Sequence, residues 1–297
     1  MADVTAKSTM DKYKGRSAAD IANELTNKAI MTLSGAETDI KKRRVMDNLI
    51  AFIGAAGGVG TSTIVANVAT AARKRGLNVL VVDTNIQYPS QHYFFGIRQE
   101  RERKDLTSFV LGKNNIGDSM VEMNGISVLC ANNRTLIDSI SCDDPKCSEN
   151  LFRVLEQVRE LFDLILLDCS NRLDMDIVNT ALYRADSVYI VWDESLSCIS
   201  NTDRIRRNMD LTGIESEHRT RIILNKRTSV HYSKYPINEL RMPLVATLPF
   251  DLSIIECGLR GGIFINSGDS TSRNAIEFAS GIVRLTDKIL EVGGYER

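Results

Sequence analysis

The sequence has little that would mark a secreted, membrane-spanning or metal-clamped protein. No stretch reaches the roughly 18 to 20 apolar residues that a spanning helix requires, and Met1-Ala2-Asp3-Val4 opens without the apolar core of a secretion signal. Six cysteines scattered over 297 residues are too sparse for a disulfide scaffold, so reduced thiols are expected. Cys142 and Cys147 form the one close pair, and none of the three histidines (His92, His218, His231) lies near them in sequence, which argues against a zinc site. Neither sign of charge is in excess. With 37 basic and 38 acidic residues the formal charge is −1, which argues against a protein whose main task is coating nucleic acid while leaving a local basic face open. Internal repeats and low-complexity segments are also missing, and a soluble cytoplasmic protein is the expectation.

One further lack is local. The run Ile53-Gly54-Ala55-Ala56-Gly57-Gly58-Val59-Gly60-Thr61-Ser62-Thr63 has the frame of a phosphate-binding loop without its lysines. A strand, Leu49–Ile53, feeds a turn with three glycines in four positions (Gly57, Gly58, Gly60), and the turn opens a helix from Thr61 to about Arg75. Backbone N–H groups and a helix N-terminus then face any anion placed there. In the common pattern G-x-x-x-x-G-K-[ST] the lysine reaches the outer phosphates and the next hydroxyl holds magnesium; here Thr61 replaces the lysine and Ser62 takes the hydroxyl position. A dinucleotide fingerprint fits badly, because Gly58-Val59-Gly60 runs into Thr61-Ser62-Thr63.

Residues 1–48 read as a polar N-terminal extension. It carries one amphipathic helix, Ala18 to Leu33, with Ser17 and Asp20 spaced as a capping box. The stripe Ile21, Ala22, Leu25, Ala29 and Leu33 suits docking on its own domain or contact with a partner or second copy. Lys41-Lys42-Arg43-Arg44 reads as a solvated linker or as a phosphate or membrane-surface contact.

Residues 49–297 alternate apolar strands with helical stretches: Leu49–Ile53, Asn78–Asp83, Ile126–Cys130, Leu164–Asp168, Ser187–Trp192, Arg221–Asn225 and Leu244–Leu248, closed by a helix from about Ser272 to Val292. That rhythm implies an α/β fold, a largely parallel, doubly wound sheet flanked by helices. Continuous apolar runs such as Val79-Leu80-Val81-Val82 mark strands covered on both faces. Ligands of such sheets bind beyond the carboxyl ends of the strands. Asp83 and Asp168 close two of them, and a carboxylate so placed is suited either to holding magnesium or to capping the next turn.

Taken together, residues 49 to 291 resemble the MinD/ParA family of deviant Walker-A ATPases, whose loop reads K-G-G-x-G-K-[ST]-[ST]. Beyond Gly57-Gly58-Val59-Gly60 and Ser62-Thr63, the resemblance takes in Asn67 and Ala69, Val81-Val82-Asp83, Asp163 to Asp168, Ala185-Asp186-Ser187, Ile222-Ile223-Leu224-Asn225 and Leu248-Pro249-Phe250-Asp251. It implies ATP/ADP and Mg²⁺ as cofactors, a homodimer around two ATP molecules, Asn225 at the adenine, and Pro249 and Asp251 along the base pocket. It places Ser62, Asp83 and Asp168 around magnesium, and Ala56 through Thr63 around the phosphates.

The departures lie at the charged positions. Ala56 stands where the family's signature lysine crosses to the partner, Thr61 where the Walker lysine grips phosphate, and Asn85 where an aspartate positions the attacking water. Single contributions of placed charge are worth on the order of 3 kcal/mol or more in phosphoryl transfer, so slow hydrolysis or none is expected while binding persists. The ending Gly60-Thr61-Ser62-Thr63 and the phrase Asp83-Thr84-Asn85-Ile86-Gln87-Tyr88-Pro89-Ser90-Gln91 resemble the TadZ/CpaE-like branch, which places Flp/Tad pilus assembly machinery at a cell pole. That resemblance implies a localisation or assembly factor, partners in a secretion or pilus machine, and recruitment to the inner membrane face or a pole through them. The alternative is an active ParA-like partition ATPase binding DNA without sequence preference through Arg219, Arg221, Lys226, Arg227, Lys234 and Arg241, a segment that Glu215, Glu217 and Glu239 dilute. A metabolic ligase or reductase on the same fold has no added cysteine or carboxylate cluster to support it.

Overall fold

A computed structural model describes residues 47–98, 105–131, 145–214, 216–228, 242–267 and 271–294. The N-terminal extension as far as residue 46, with its helix and basic run, lies outside the described residues, as do Glu215, Lys234, Glu239 and Arg241.

Eight strands form one sheet: β1 (Leu49–Gly54), β2 (Val79–Asp83), β3 (Val121–Met123), β4 (Ile126–Cys130), β5 (Leu164–Cys169), β6 (Ser187–Trp192), β7 (Thr220–Arg227) and β8 (Leu244–Pro249). Their order is β3-β4-β2-β5-β1-β6-β7-β8, and every neighbouring pair is parallel except β3 with β4. Seven strands match the sequence reading. β3 escapes it because three residues are too few to show a period, yet its turn was legible: Asn124 (φ +54°) and Gly125 (φ +75°) make the two-residue hairpin that favours Asn-Gly.

The apolar runs do as their composition dictates. Every residue of β1, β2, β4, β5 and β6 is buried, as required of strands with helices on both faces. The helix after the loop, α1 (Thr61–Lys74), is buried continuously from Ile64 to Ala72; its small alanines let it lie deep between the sheet and the carboxyl-terminal helix. That last helix (Arg273–Val292) turns Ala275, Phe278, Ile282, Leu285 and Ile289 inward at helical spacing. Asp186 fixes where β1 begins: its Oδ2 accepts from the Leu49 amide at 2.8 Å, and its carboxylate is held by Arg159 at 3.0 Å.

β1 sits between β5 and β6, while the chain leaves it for β2 on one side and returns to β6 on the other. Strand order therefore reverses at β1, and the crevice beyond its carboxyl end is where an open sheet of this kind binds ligands. The glycine-rich run emerges at that point.

Candidate functional site

The loop has the curvature its glycines suggested, with unequal reasons. Gly58 (φ +75°) and Gly60 (φ +95°) occupy the left-handed region, which costs an L-residue roughly 1–2 kcal/mol. Gly57 needs neither a positive φ nor space, because a Cβ there would meet no atom within 4 Å. Gly54, passed over in the sequence, is required by close approach: its Cβ would lie 2.9 Å from both the Ala56 carbonyl and Thr61 Oγ1. Gly60 is the N-cap of α1, no side chain bonds to that helix end, and its first turn carries no acid. Its leading N–H groups and the positive end of its dipole are thus offered to an external anion.

The two strand-end carboxylates are neighbours, since Asp83 on β2 and Asp168 on β5 are in register. They do different work. Asp168 lines the crevice, and its Oδ2 accepts from Gln91 Nε2 at 2.7 Å. Asp83, expected at magnesium directly or through water, is fully buried, is not among the described residues lining the crevice, and accepts from the amides of Ser90 (2.7 Å), Gln91 (2.9 Å) and Asn85 (3.1 Å). It is an anchor that folds residues 85–91 against the sheet. Burial, with the charge of Asp168 second, pushes the Asp83 carboxyl well above the ordinary range; burial also raises Asp168, against the pull of Gln91 and then Ser62. Asn85 lines the crevice, with its Oδ1 accepting from the Tyr88 amide at 3.3 Å.

Gln91, which opens a short helix α2 (Gln91–Phe94), closes the phrase Asp83 to Gln91 in the sequence but was given no role there. Its amide nitrogen is fixed by Asp168 and by the Ser62 carbonyl at 3.1 Å, and its Oε1, buried, has no hydrogen-bond partner among the described residues. A carboxylate (Asp168) and a hydroxyl (Ser62) on the crevice wall suit a hydrated divalent cation.

The far wall comes from the ends of β7 and β8. Asn225 is buried and donates from Nδ2 to the Val59 carbonyl at 2.8 Å. A Cβ on Gly60 would overlap that same nitrogen, so loop and strand end are fitted to each other. Lys226 follows with φ +53°, at a register shift between β7 and β8, and donates from Nζ to the Gly58 carbonyl at 2.5 Å. Bulges of this kind re-aim side chains beside functional sites. Pro249 ends β8, and Asp251 caps the helix Leu252–Leu259, accepting from the Ser253 amide at 2.9 Å. The Ser253 hydroxyl, then that of Ser272, hold the Asp251 carboxyl below its usual range.

These walls enclose one crevice of about 680 Å³, large enough for a small-molecule cofactor. It brings together Ala56 through Thr63, Asn85, Asp168, Asn225, Pro249 and Asp251, leaving Asp83 behind the wall. Lys226 is the one lysine or arginine lining it among the described residues.

Known proteins share this fold. Residues 47–221 match the model of the family described as AAA domain, more than half of the chain. The septum site-determining protein MinD of Thermotoga maritima is 24% identical over 240 residues, which cover 77% of this chain and 85% of the relative. The structure of MinD from Pyrococcus horikoshii, complexed with Mg-ADP, superimposes with a TM-score of 0.67 at 18% identity over 83% of this chain and 97% of that one. A ParA family ATPase from Chlorobium tepidum gives a TM-score of 0.64 at 18% identity over 80% and 97%. By the matched family model the chain belongs to the AAA-domain family, with the fold of the MinD and ParA structures.

Proposed function

We propose that this chain binds ATP and ADP with Mg²⁺ in the crevice beyond β1 and acts as a homodimeric localisation or assembly factor of the TadZ/CpaE-like kind, with slow or absent hydrolysis. One observation carries the reading: the cradle is complete in its backbone while Ala56, Thr61 and Asn85, all lining it, are uncharged. The amides at the head of α1 orient the phosphates, and Ser62 and Asp168 hold the cation, which when bound supplies charge neutralisation at the phosphate oxygens. Asn225, tied to the loop through one N–H, keeps its second N–H and its Oδ1 for a base edge, flanked by Pro249 and Asp251.

The partition reading fares less well on this surface. Arg219 is turned onto the carbonyls of Leu182 and Tyr183, Arg221 onto Ser187 Oγ, Arg227 onto Glu277 and Lys226 into the loop. The four described basic residues of that segment are engaged within the fold.

Calorimetric titration with ATP and ADP in the presence of Mg²⁺, run beside size exclusion and phosphate release, tests the proposal. Binding with dimerisation and negligible release supports it. Rapid release, or steeply salt-dependent DNA binding, supports the partition ATPase instead.

A further inference from the structure

We infer that Lys226 is the cation of this phosphate loop, a positive charge from the end of β7 that helps to hold phosphate while the catalytic charges at positions 56 and 61 stay absent. The inference rests on the nucleotide-binding reading above. Sequence alone grouped Lys226 with surface basic residues, and three observations remove it from that group. It is the one lysine or arginine lining the crevice among the described residues. Its ammonium sits on the Gly58 carbonyl at 2.5 Å, at the turn whose backbone curls around the cradle. Its backbone holds φ +53°, a conformation that a long side chain rarely adopts and that persists only where the surroundings over-determine it.

The surroundings do so on every side. Asn225 is bonded to Val59 before it, Arg227 pairs with Glu277 at 3.0 Å after it, the Arg227 carbonyl accepts from the Phe250 amide at 2.9 Å, and the Thr228 amide donates to Glu194 at 3.1 Å. An extended Lys226 would send its amine elsewhere; the bulge sends it to the loop. An ammonium carries three N–H donors, and the Gly58 carbonyl takes one. Lys226 lines a crevice otherwise furnished with backbone amides, hydroxyls and carboxylates.

The test compares ADP with adenosine, each competed against a fluorescent ADP analogue, on the full chain and on Lys226→Asn and Lys226→Arg. Asparagine tolerates the left-handed backbone, so Lys226→Asn removes the charge while keeping the fold; thermal unfolding within a few degrees of the parent verifies that. Loss of a charge-assisted contact corresponds to a drop of about tenfold or more. Expected is that drop for ADP in Lys226→Asn, adenosine affinity unchanged within about twofold, and Lys226→Arg close to the parent. Equal losses for ADP and adenosine, or no loss for either, overturn the inference while leaving nucleotide binding intact. Failure of the unsubstituted chain to bind ADP overturns the nucleotide reading itself and the inference with it.

Discussion

Replacing single loop glycines by alanine separates the physical demands of the cradle. At Gly57 the backbone is not in the left-handed region and an added Cβ meets nothing within 4 Å, so Gly57→Ala should change stability by less than about 0.5 kcal/mol. At Gly58 space is open but φ is +75°, so Gly58→Ala carries the left-handed penalty alone, about 1–2 kcal/mol. At Gly60 the same penalty applies and the new Cβ displaces Asn225 Nδ2 from the Val59 carbonyl, a hydrogen bond worth about 1 kcal/mol net, for a total of about 2–3 kcal/mol. For a chain of this size, thermal unfolding should then fall by roughly 3–5 °C in Gly60→Ala and by less than about 1 °C in Gly57→Ala. The mechanism has its own check. In an Asn225→Ala background the clash is gone, so the cost of Gly60→Ala should shrink by about 1 kcal/mol in a double-mutant cycle. Equal effects at Gly57 and Gly60, or a cost at Gly60 indifferent to Asn225, would refute the fitted-wall argument.

Burial raises both strand-end carboxyls, Asp83 to about 8 and Asp168 to about 6 from an ordinary 3.8. The folded state therefore holds protons that the unfolded chain releases above pH 4, and the stability they contribute, complete below that value, declines as pH rises toward 8. Urea unfolding without Mg²⁺ at pH 5, 6.5 and 8 should show that decline, and Asp83→Asn should flatten most of it; a rise in stability over the window would contradict the assignment. Removing the cap in Asp251→Ala should cost about 1 kcal/mol in the same assay, since the Ser253 amide loses its acceptor. Restoring charge in the triple variant Ala56→Lys, Thr61→Lys, Asn85→Asp should raise phosphate release at least about tenfold over the parent; no gain would place the block elsewhere than in the missing charges.

The sheet was legible because its strands are long apolar runs and its loop is punctuated by glycine; both signals are local in the chain. The site was legible only where function writes a motif, as in Gly57 to Thr63 and at Asp168. What stayed hidden depends on backbone direction across large sequence separations. Nothing near Lys226 in the sequence announces a bulge that turns it onto Gly58, 168 positions away. Gln91 looks like any polar residue until Asp168 and Ser62 are brought beside it. The contacts of Asp83 were hidden for a related reason: a strand-end aspartate has the same pattern whether it faces a ligand or three amides of the following loop.

The central claim, a complete nucleotide cradle stripped of catalytic charge, is tested most directly by single-turnover phosphate release from ATP prebound with Mg²⁺ to the unmodified chain. The account expects tight retention of ATP and release no faster than an unassisted P-loop GTPase, about 5 × 10⁻⁴ s⁻¹. Release at about 1 s⁻¹ or faster from that bound state would contradict it, because Ala56, Thr61 and Asn85 could not then be the residues that set the rate.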